Sequence, residues 1–170
     1  MSSRRGRAEV VTGANLSPMT DTTGEGAAPA ETRTGDPRHE YEALGFTTHG
    51  TLIERMGIEV EDVAADRAAA RMPVAGNTQP VGLLHGGASV VLAETLGSMA
   101  AQLHAGRDRA AVGTEVNATH HRGVRDGWVR AEARALHLGR TTASYEIVVT
   151  DDAGRRVCTA RLTCMLLDRP

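Results

Sequence analysis

Hydrophobic and polar positions divide the chain into a short segment without periodicity and a long periodic one. The first 38 residues include 17 Gly, Pro, Ser or Thr residues and few large apolar ones. Such a composition buries too little surface to offset the entropy of ordering the chain. We therefore predict a disordered N-terminal tail over residues 1–40 and one folded domain over residues 41–170.

Within the predicted domain, period-two alternation marks strands on both sides of one helical segment. After a helical turn or two at residues 51–56, short strands are predicted near 57–63 and 67–74. The helical segment, 88–103, is apolar nearly all round, so a sheet should wrap it. About four consecutive antiparallel strands should then follow, at 111–122, 128–136, 142–150 and 156–167. This order predicts an α+β fold, an antiparallel sheet around one long central helix.

Three polar residues of the helical segment form a single stripe. Glu94, Ser98 and Gln102 are spaced i, i+4 and i+8 and therefore share one face. The stripe either faces water or places a reactive carboxylate in a dry cleft. The sequence alone leaves both readings open.

Composition and charge exclude several classes of protein. Four aromatic residues in all (one Phe, one Trp, two Tyr) and a net charge of −2 argue against a nucleic-acid partner. All 19 basic residues are arginines, which excludes Schiff-base enzymes and Walker phosphate loops because both need a lysine amine. An apolar run of about 18 residues, as a membrane span requires, is absent. A cytoplasmic protein without a membrane partner is therefore expected.

The two cysteines are predicted to stay reduced. Cys158 and Cys164 lie on one face of a predicted strand, about 20 Å apart at about 3.3 Å per residue. A disulfide cannot span that distance. We expect free thiols, as is usual in a reducing compartment.

The segment ahead of the long helix contains the residues best suited to chemistry. Gly86 and Gly87 open the helix, where free backbone N–H groups and the helix dipole attract an anion or oxyanion. The glycines could equally serve a tight turn. The seven histidines form no metal-binding motif, so a metal-free site is expected. A serine hydrolase is excluded because no GxSxG motif occurs.

The run GLLHGGASVVLAETLGSMAA at 82–101, with Gln79 ahead of it, closely resembles the hotdog-fold acyl-CoA thioesterases of the phenylacetate-degradation (PaaI-like) type. The resemblance extends from about residue 45 to 167 and includes EVNATH at 115–120 and LHLGR at 136–140. Within that superfamily the chain is most similar to the branch of dihydroxynaphthoyl-CoA, enterobactin proofreading and Glu-type 4-hydroxybenzoyl-CoA thioesterases. The resemblance implies a hotdog fold and hydrolysis of an acyl-CoA thioester with an aromatic or other bulky acyl group.

The resemblance also assigns catalytic roles by position. Glu94 takes the place of the catalytic carboxylate, acting as nucleophile or as general base. Gly86 would donate its N–H to the thioester oxygen, and Gln79 and His85 would orient the thioester. Ser98 would hold the attacking water or the carboxylate. A histidine before a helix is otherwise most often a structural hydrogen-bonding residue.

Coenzyme A binding and assembly are further implications of the resemblance. Arg122 and Arg140, with Gly139 beside the latter, would contact the nucleotide phosphates, while Arg125 is equally a candidate for a solvated surface charge. Coenzyme A is part of the substrate, so no cofactor is expected. The active site should lie between the subunits of a homodimer, or of a dimer-of-dimers tetramer.

Three alternatives differ in substrate or class. A proofreading thioesterase would act on thioesters of an acyl carrier protein instead of coenzyme A. A non-catalytic module would bind acyl-CoA without needing Glu94, Gln79 and Gly86 together. A hotdog hydratase relies on an Asp and His pair at the start of its helix, and no Asp lies between Asp66 and Asp108.

Overall fold

The computed structural model describes Asp36 and residues 38–169. Most of the predicted tail lies outside the described residues, and its disorder remains a prediction. A helix at the start of the described part crosses the predicted boundary at residue 40. In chain order the elements are α1 (Arg38–Glu42), α2 (Leu52–Arg55), β1 (Glu59–Val63), β2 (Arg67–Pro73), α3 (Gly86–Ala105), β3 (Arg109–His120), β4 (Trp128–Leu138), β5 (Thr142–Asp151) and β6 (Arg156–Asp168).

The strands form one six-stranded sheet in the order β1-β2-β4-β5-β6-β3. All five pairings are antiparallel. β3 pairs with β6 from Arg109↔Asp168 to His120↔Cys158 and is therefore an edge strand rather than the neighbour of β4. This order confirms the α+β class and shows that the four later strands are consecutive in sequence but not all adjacent in the sheet.

The predicted strand at 111–122 is displaced by two residues. β3 ends at His120 because the N–H groups of His121 and Arg122 both donate to the Val157 carbonyl, which breaks the regular ladder. Arg122 therefore lies in the loop after β3 and not in a strand.

Helix α3 packs against the concave face of this sheet and is longer than predicted. It begins two residues earlier, at Gly86, and ends at Ala105, before Gly106 with its positive φ of 81°. Ten of its residues are buried, because its apolar side chains surround almost the whole helix and the strands wrap around it. This confirms the predicted central helix.

Small residues allow α3 to approach the sheet closely. A Cβ atom added at Gly97 would lie 2.5 Å from Leu162 Cδ2 of β6. Leu162 is fully buried. Glycine at 97 therefore sets the distance between the helix and the strand beneath it.

Both cysteines lie on β6 and point into this core. Cys158 and Cys164 are fully buried and free, as predicted. Burial raises the pKa of the Cys158 thiol. A buried neutral thiol behaves as a small apolar side chain, so Cys158 serves packing.

A buried carboxylate closes the β5–β6 hairpin. Asp151 accepts hydrogen bonds from the backbone N–H groups of Ala153 and Arg155, and its Oδ2 accepts from Arg155 Nε at 2.8 Å. The hydrogen bond from the Arg155 side chain is the main cause of the lowered pKa of Asp151. Since the charged form is favoured only in the folded state, this carboxylate stabilises the fold.

We expect Asp151→Asn to lower stability at pH 7. A carboxyl whose pKa is lowered by folding stabilises the protein above the unfolded-state pKa, about 4. That contribution is lost as the pH falls through the folded-state pKa. The difference in urea midpoint between the wild type and Asp151→Asn should therefore shrink below about pH 4. Asp126→Asn, in an exposed loop, is the control, and a difference independent of pH would contradict this role.

Candidate active site

The loop before α3 is held in place by backbone and side-chain hydrogen bonds. Asn77 Nδ2 donates to the carbonyls of Met56 and Pro73, both at 2.9 Å, and the Asn77 carbonyl accepts from His85 N–H. Leu84 N–H donates to the Val124 carbonyl at 2.7 Å. The start of α3 is therefore fixed relative to the strands around it.

His85 is the N-cap residue of α3. Its ring Nδ1 accepts a hydrogen bond from Gly87 N–H at 2.9 Å, which satisfies one of the free donors of the first helical turn. The sequence assigned His85 to orienting the thioester. The structure gives it a capping role that leaves Nε2 as the ring atom available to a ligand.

Gly86 presents a free donor at the helix N-terminus. Its N–H has no hydrogen-bond acceptor among the described residues. A Cβ atom at this position would lie 2.9 Å from His120 Nε2, so a larger residue would displace that ring. Because His120 is exposed and its ring ends a flexible side chain, an alanine at 86 can be accommodated by a shift of that ring.

A cavity of about 450 Å³ opens at this end of α3. It brings together three residues that the sequence singled out, Gln79, Gly86 and Arg122. It does not contain Glu94 or Ser98. The complete lining is Gln79, Leu83, Leu84, Gly86, Ser89, His120, His121, Arg122, Gly123 and Val157.

His120 is the site residue that sequence reasoning missed. Its position opposite the buried Cys158 places it on the face of β3 that carries α3. His120 and His121 are adjacent in a predicted strand, so strand alternation predicts only that their side chains point to opposite faces. His120 belongs to the EVNATH run at 115–120, but its place beside Gly86 follows from the register of β3 with β6.

Glu94 lies farther along α3, against the edge strand. The side chain is exposed, and its Oε1 lies 3.3 Å from the position that a Cβ at Gly113 would occupy. Ser98, one turn later, is half-buried. Burial raises the pKa of the nearby Cys164 thiol, and the Ser98 hydroxyl opposes that rise. Glu94 therefore sits in a gap that the glycine of β3 leaves open.

The third member of the stripe has a structural role. Gln102 is buried, donates from Nε2 to the Gly106 and Arg109 carbonyls, and accepts from Ala111 N–H, each at 2.9 Å. It ties the end of α3 to the start of β3. Glu94 is exposed, whereas Gln102 is buried. The three residues of the stripe therefore neither all face water nor all lie in one dry cleft.

Glu94 and Gly86 of one chain are too far apart to act on the same carbonyl. Their separation of eight residues corresponds to about 12 Å along the helix. The Gly86 N–H also points away from the helix, so that its acceptor lies beyond the helix start. Attack and oxyanion binding each require contacts of about 3 Å to one carbonyl group.

The arginines predicted to bind coenzyme A divide between the two ends of α3. Arg122 lines the cavity, and Arg125 Nη1 lies near Gly82 in the loop before the helix. Arg140 follows Gly139, whose carbonyl contacts His104 Nε2 at 2.9 Å near the end of α3. A helix of 20 residues is about 30 Å long. Arg122 and Arg140 of one chain therefore do not meet.

Gly139 itself has a structural explanation. Its N–H donates to the Thr142 carbonyl at 2.9 Å and closes the β4–β5 turn. A Cβ at this position would lie 3.0 Å from that carbonyl oxygen. None of Arg122, Arg125 and Arg140 forms an ion pair with another described residue, so all three remain available to an anion.

Over Asp36 and residues 38–169, no three His, Cys, Asp or Glu side chains are grouped to hold a metal ion. The same residues include no helix long and apolar enough to cross a membrane.

Known proteins with similar sequences are thioesterases. Residues 81–158 match the thioesterase superfamily. The proofreading thioesterase EntH of Cronobacter turicensis is 51% identical over 127 residues, covering 74% of this chain and 93% of that protein. EntH of Klebsiella pneumoniae is 52% identical over 126 residues, covering 74% and 92%.

Solved structures show the same likeness. A mutant thioesterase from Pseudomonas aeruginosa superposes with a TM-score of 0.70 at 44% identity, over 81% of this chain and 98% of that one. A thioesterase from Haemophilus influenzae gives 0.71 at 34%, over 80% and 93%.

The sheet wrapped around α3, with a free N–H at the helix start and a carboxylate farther along, defines a hotdog-fold thioester hydrolase. The chain belongs to the thioesterase superfamily. The fold, family and enzyme class predicted from the sequence are thereby confirmed.

Proposed function

We propose that this enzyme hydrolyses acyl-CoA thioesters with aromatic or other bulky acyl groups, at a site formed by two copies of the chain. The observation that carries the proposal is the separation of Glu94 from Gly86 along one helix. Since one carbonyl must contact both groups, Glu94 of one subunit works with the helix N-terminus of another.

The edge strand β3 supplies the contact between subunits. It has 12 residues and pairs on one side only, with β6. A long unpaired edge is a ready partner for a second strand. Two copies of β3 paired antiparallel about a two-fold axis oppose the early residues of one to the late residues of the other.

This pairing supports the composite site. Gly113, beside Glu94, lies early in β3, whereas His120, beside Gly86, lies at its end. The two-fold axis therefore brings Glu94 of one subunit toward the partner subunit's Gly86 and its cavity. The exposed Glu94 carboxylate becomes enclosed by the partner, which strengthens its electrostatic interactions. Two dimers pairing again would give the tetramer.

The chemistry follows from these positions. The thioester oxygen accepts from Gly86 N–H, and the helix dipole stabilises the negative charge that develops there. Glu94 either attacks the carbonyl carbon, releasing the thiolate and forming an anhydride that water then hydrolyses, or removes a proton from the attacking water. Gln79 and His85 orient the thioester, and Ser98 contacts the water. No cofactor takes part, because coenzyme A is part of the substrate.

The coenzyme A nucleotide would be bound by arginines of both subunits. Arg122 stands at the cavity of one chain, and the antiparallel arrangement directs the partner subunit's Arg140 toward that end. Two-point contacts from guanidinium groups suit the pyrophosphate and the 3′-phosphate. Arg125 is positioned to add to them. The free buried cysteines support a reducing compartment, and we place the enzyme in the cytoplasm.

A second candidate function is proofreading, in which the enzyme hydrolyses thioesters of an acyl carrier protein. The relatives that are 51% and 52% identical are named as proofreading thioesterases. The catalytic groups would be the same, and the thiol would be a phosphopantetheine arm. The exposed arginines around the cavity would then face an acidic protein surface rather than a nucleotide.

We expect Glu94→Ala to reduce turnover about a thousandfold while leaving acyl-CoA binding nearly unchanged, because the carboxylate acts in the chemical step. The measurement is thiol release from benzoyl-, hydroxybenzoyl-, dihydroxynaphthoyl-, phenylacetyl- and medium-chain acyl-CoA, which also ranks the acyl groups. Glu146→Ala, on the opposite face of the sheet, is the control. A Glu94→Ala enzyme with most of its rate would refute the mechanism. Release only from carrier-protein thioesters would favour the second candidate.

Arg122→Ala should raise the KM for benzoyl-CoA about tenfold, since a charge-assisted hydrogen bond contributes about 1.5 kcal/mol. The KM for benzoyl-pantetheine, which lacks the nucleotide, should stay the same. Arg134→Ala, which removes an exposed arginine of β4, serves as the control. Equal losses with both esters would remove Arg122 from the phosphate site.

A further inference from the structure

The turn between β4 and β5 carries Arg140 between two carbonyl groups that other elements hold. The carbonyl of Gly139, before Arg140, accepts a hydrogen bond from His104 Nε2 of α3 at 2.9 Å. The carbonyl of Thr141, after Arg140, accepts from the Leu166 N–H of β6 at 2.9 Å. The chain is therefore held on both sides of Arg140 from outside the turn.

The contact from α3 depends on a side chain, whereas the contact from β6 uses the backbone. His104 lies in the last turn of the helix and is half-buried. A carbonyl oxygen can only accept a hydrogen bond, so His104 Nε2 carries the hydrogen and donates it. Substitution of His104 therefore removes one support of the turn and leaves the other in place.

The side chain of Arg140 depends on this backbone for its direction. Arg140 is exposed and forms no ion pair with another described residue, so no charged partner orients it. The turn below it is closed by the hydrogen bond from Gly139 N–H to the Thr142 carbonyl at 2.9 Å. The His137 ring occupies the space that a Cβ atom at Gly139 would need, which keeps the turn compact.

A fixed turn favours the binding of an anion. Binding of a phosphate orders the arginine side chain and any mobile backbone beneath it, and the loss of that freedom opposes binding. A turn that is already held from two sides has less freedom to lose. The contact from His104 to the Gly139 carbonyl therefore bears on how tightly Arg140 holds a phosphate.

We propose that His104 is a positioning residue for coenzyme A binding, which holds the β4–β5 turn so that Arg140 reaches the nucleotide phosphates. The inference rests on the proposed function, in which Arg140 is a phosphate ligand. His104 acts through the Gly139 carbonyl and does not touch the substrate. Its effect is on affinity and not on the chemical step.

The test compares the KM for benzoyl-CoA with the KM for benzoyl-pantetheine, which lacks the nucleotide. His104→Ala should raise the KM for benzoyl-CoA about fivefold, while kcat and the KM for benzoyl-pantetheine change less than about twofold. His104→Gln keeps an N–H donor near the position of Nε2 and should recover most of the affinity. His49→Ala, which removes an exposed histidine that contacts Glu54, is the control.

A double-mutant cycle separates positioning from direct binding. Arg140→Ala should raise the KM for benzoyl-CoA about tenfold, because it removes a charge-assisted hydrogen bond. If His104 acts through Arg140, adding His104→Ala to that variant should change the KM by less than about twofold.

Three results would overturn the proposal. The first is an unchanged KM for benzoyl-CoA in His104→Ala while Arg140→Ala raises it. The second is an equal loss with both esters, which indicates a purely structural histidine. The third is an undiminished effect of His104→Ala when residue 140 is already alanine, since the histidine would then bind the nucleotide itself.

Failure of the proposed function gives a different pattern. If the wild type releases no thiol from any ester, hydrolysis is refuted, and the Kd of the same variants for coenzyme A, measured by calorimetry, still decides the role of His104. If Arg140→Ala binds coenzyme A as tightly as the wild type, the nucleotide site of the proposed function is wrong, and the positioning role is refuted with it.

Discussion

The close contact between α3 and the strands β6 and β3 is the constraint on which the site depends. Gly97 allows the helix to lie directly over Leu162. Gly113 leaves the adjoining gap into which the Glu94 side chain extends. With a larger residue at either position, the helix or the carboxylate would have to shift. The close packing of α3 on the sheet therefore also determines where the Glu94 carboxylate lies.

The second consequence of the helix is that it separates the groups that must cooperate. An α-helix offers a free N–H only at its first turn, whereas Glu94 extends from its middle. In the proposed dimer, one chain therefore holds half of each of two sites. The edge strand β3 runs between these halves, so in the proposed dimer the strand that pairs with the second copy also brings the two halves of each site together.

Much of this fold could be predicted from the sequence. The alternation of β4, β5 and β6 and the apolar run of α3 are local patterns, and the sequence predicted the helix to within two residues at each end. The position of β3 at the far edge could not be predicted, because it depends on pairing between distant segments. For the same reason His120 was missed, since its place beside Gly86 follows from the β3–β6 register.

The candidate site shows the same limit. Gln79, Gly86 and Arg122 are close in the structure, but Arg140 lies at the other end of α3, which only the β4–β5 turn and its contact with His104 reveal. Gln102 shares a helical face with Glu94 yet serves structure, because burial differs along the stripe. The spacing of residues in the sequence predicts which of them share a helical face. Tertiary packing determines which residues of that face are buried and what they contact.

The most direct test of the composite site is complementation between two inactive variants. Gly86→Pro removes one N–H, and the extended backbone of His85 accepts a following proline. Gly86→Ala, which adds a Cβ but keeps the N–H, is its control. Mixing Glu94→Ala and Gly86→Pro chains by unfolding and refolding should restore about a quarter of wild-type activity, since half of the random dimers carry one intact site of two. A mixture as inactive as its components would contradict a site shared between subunits.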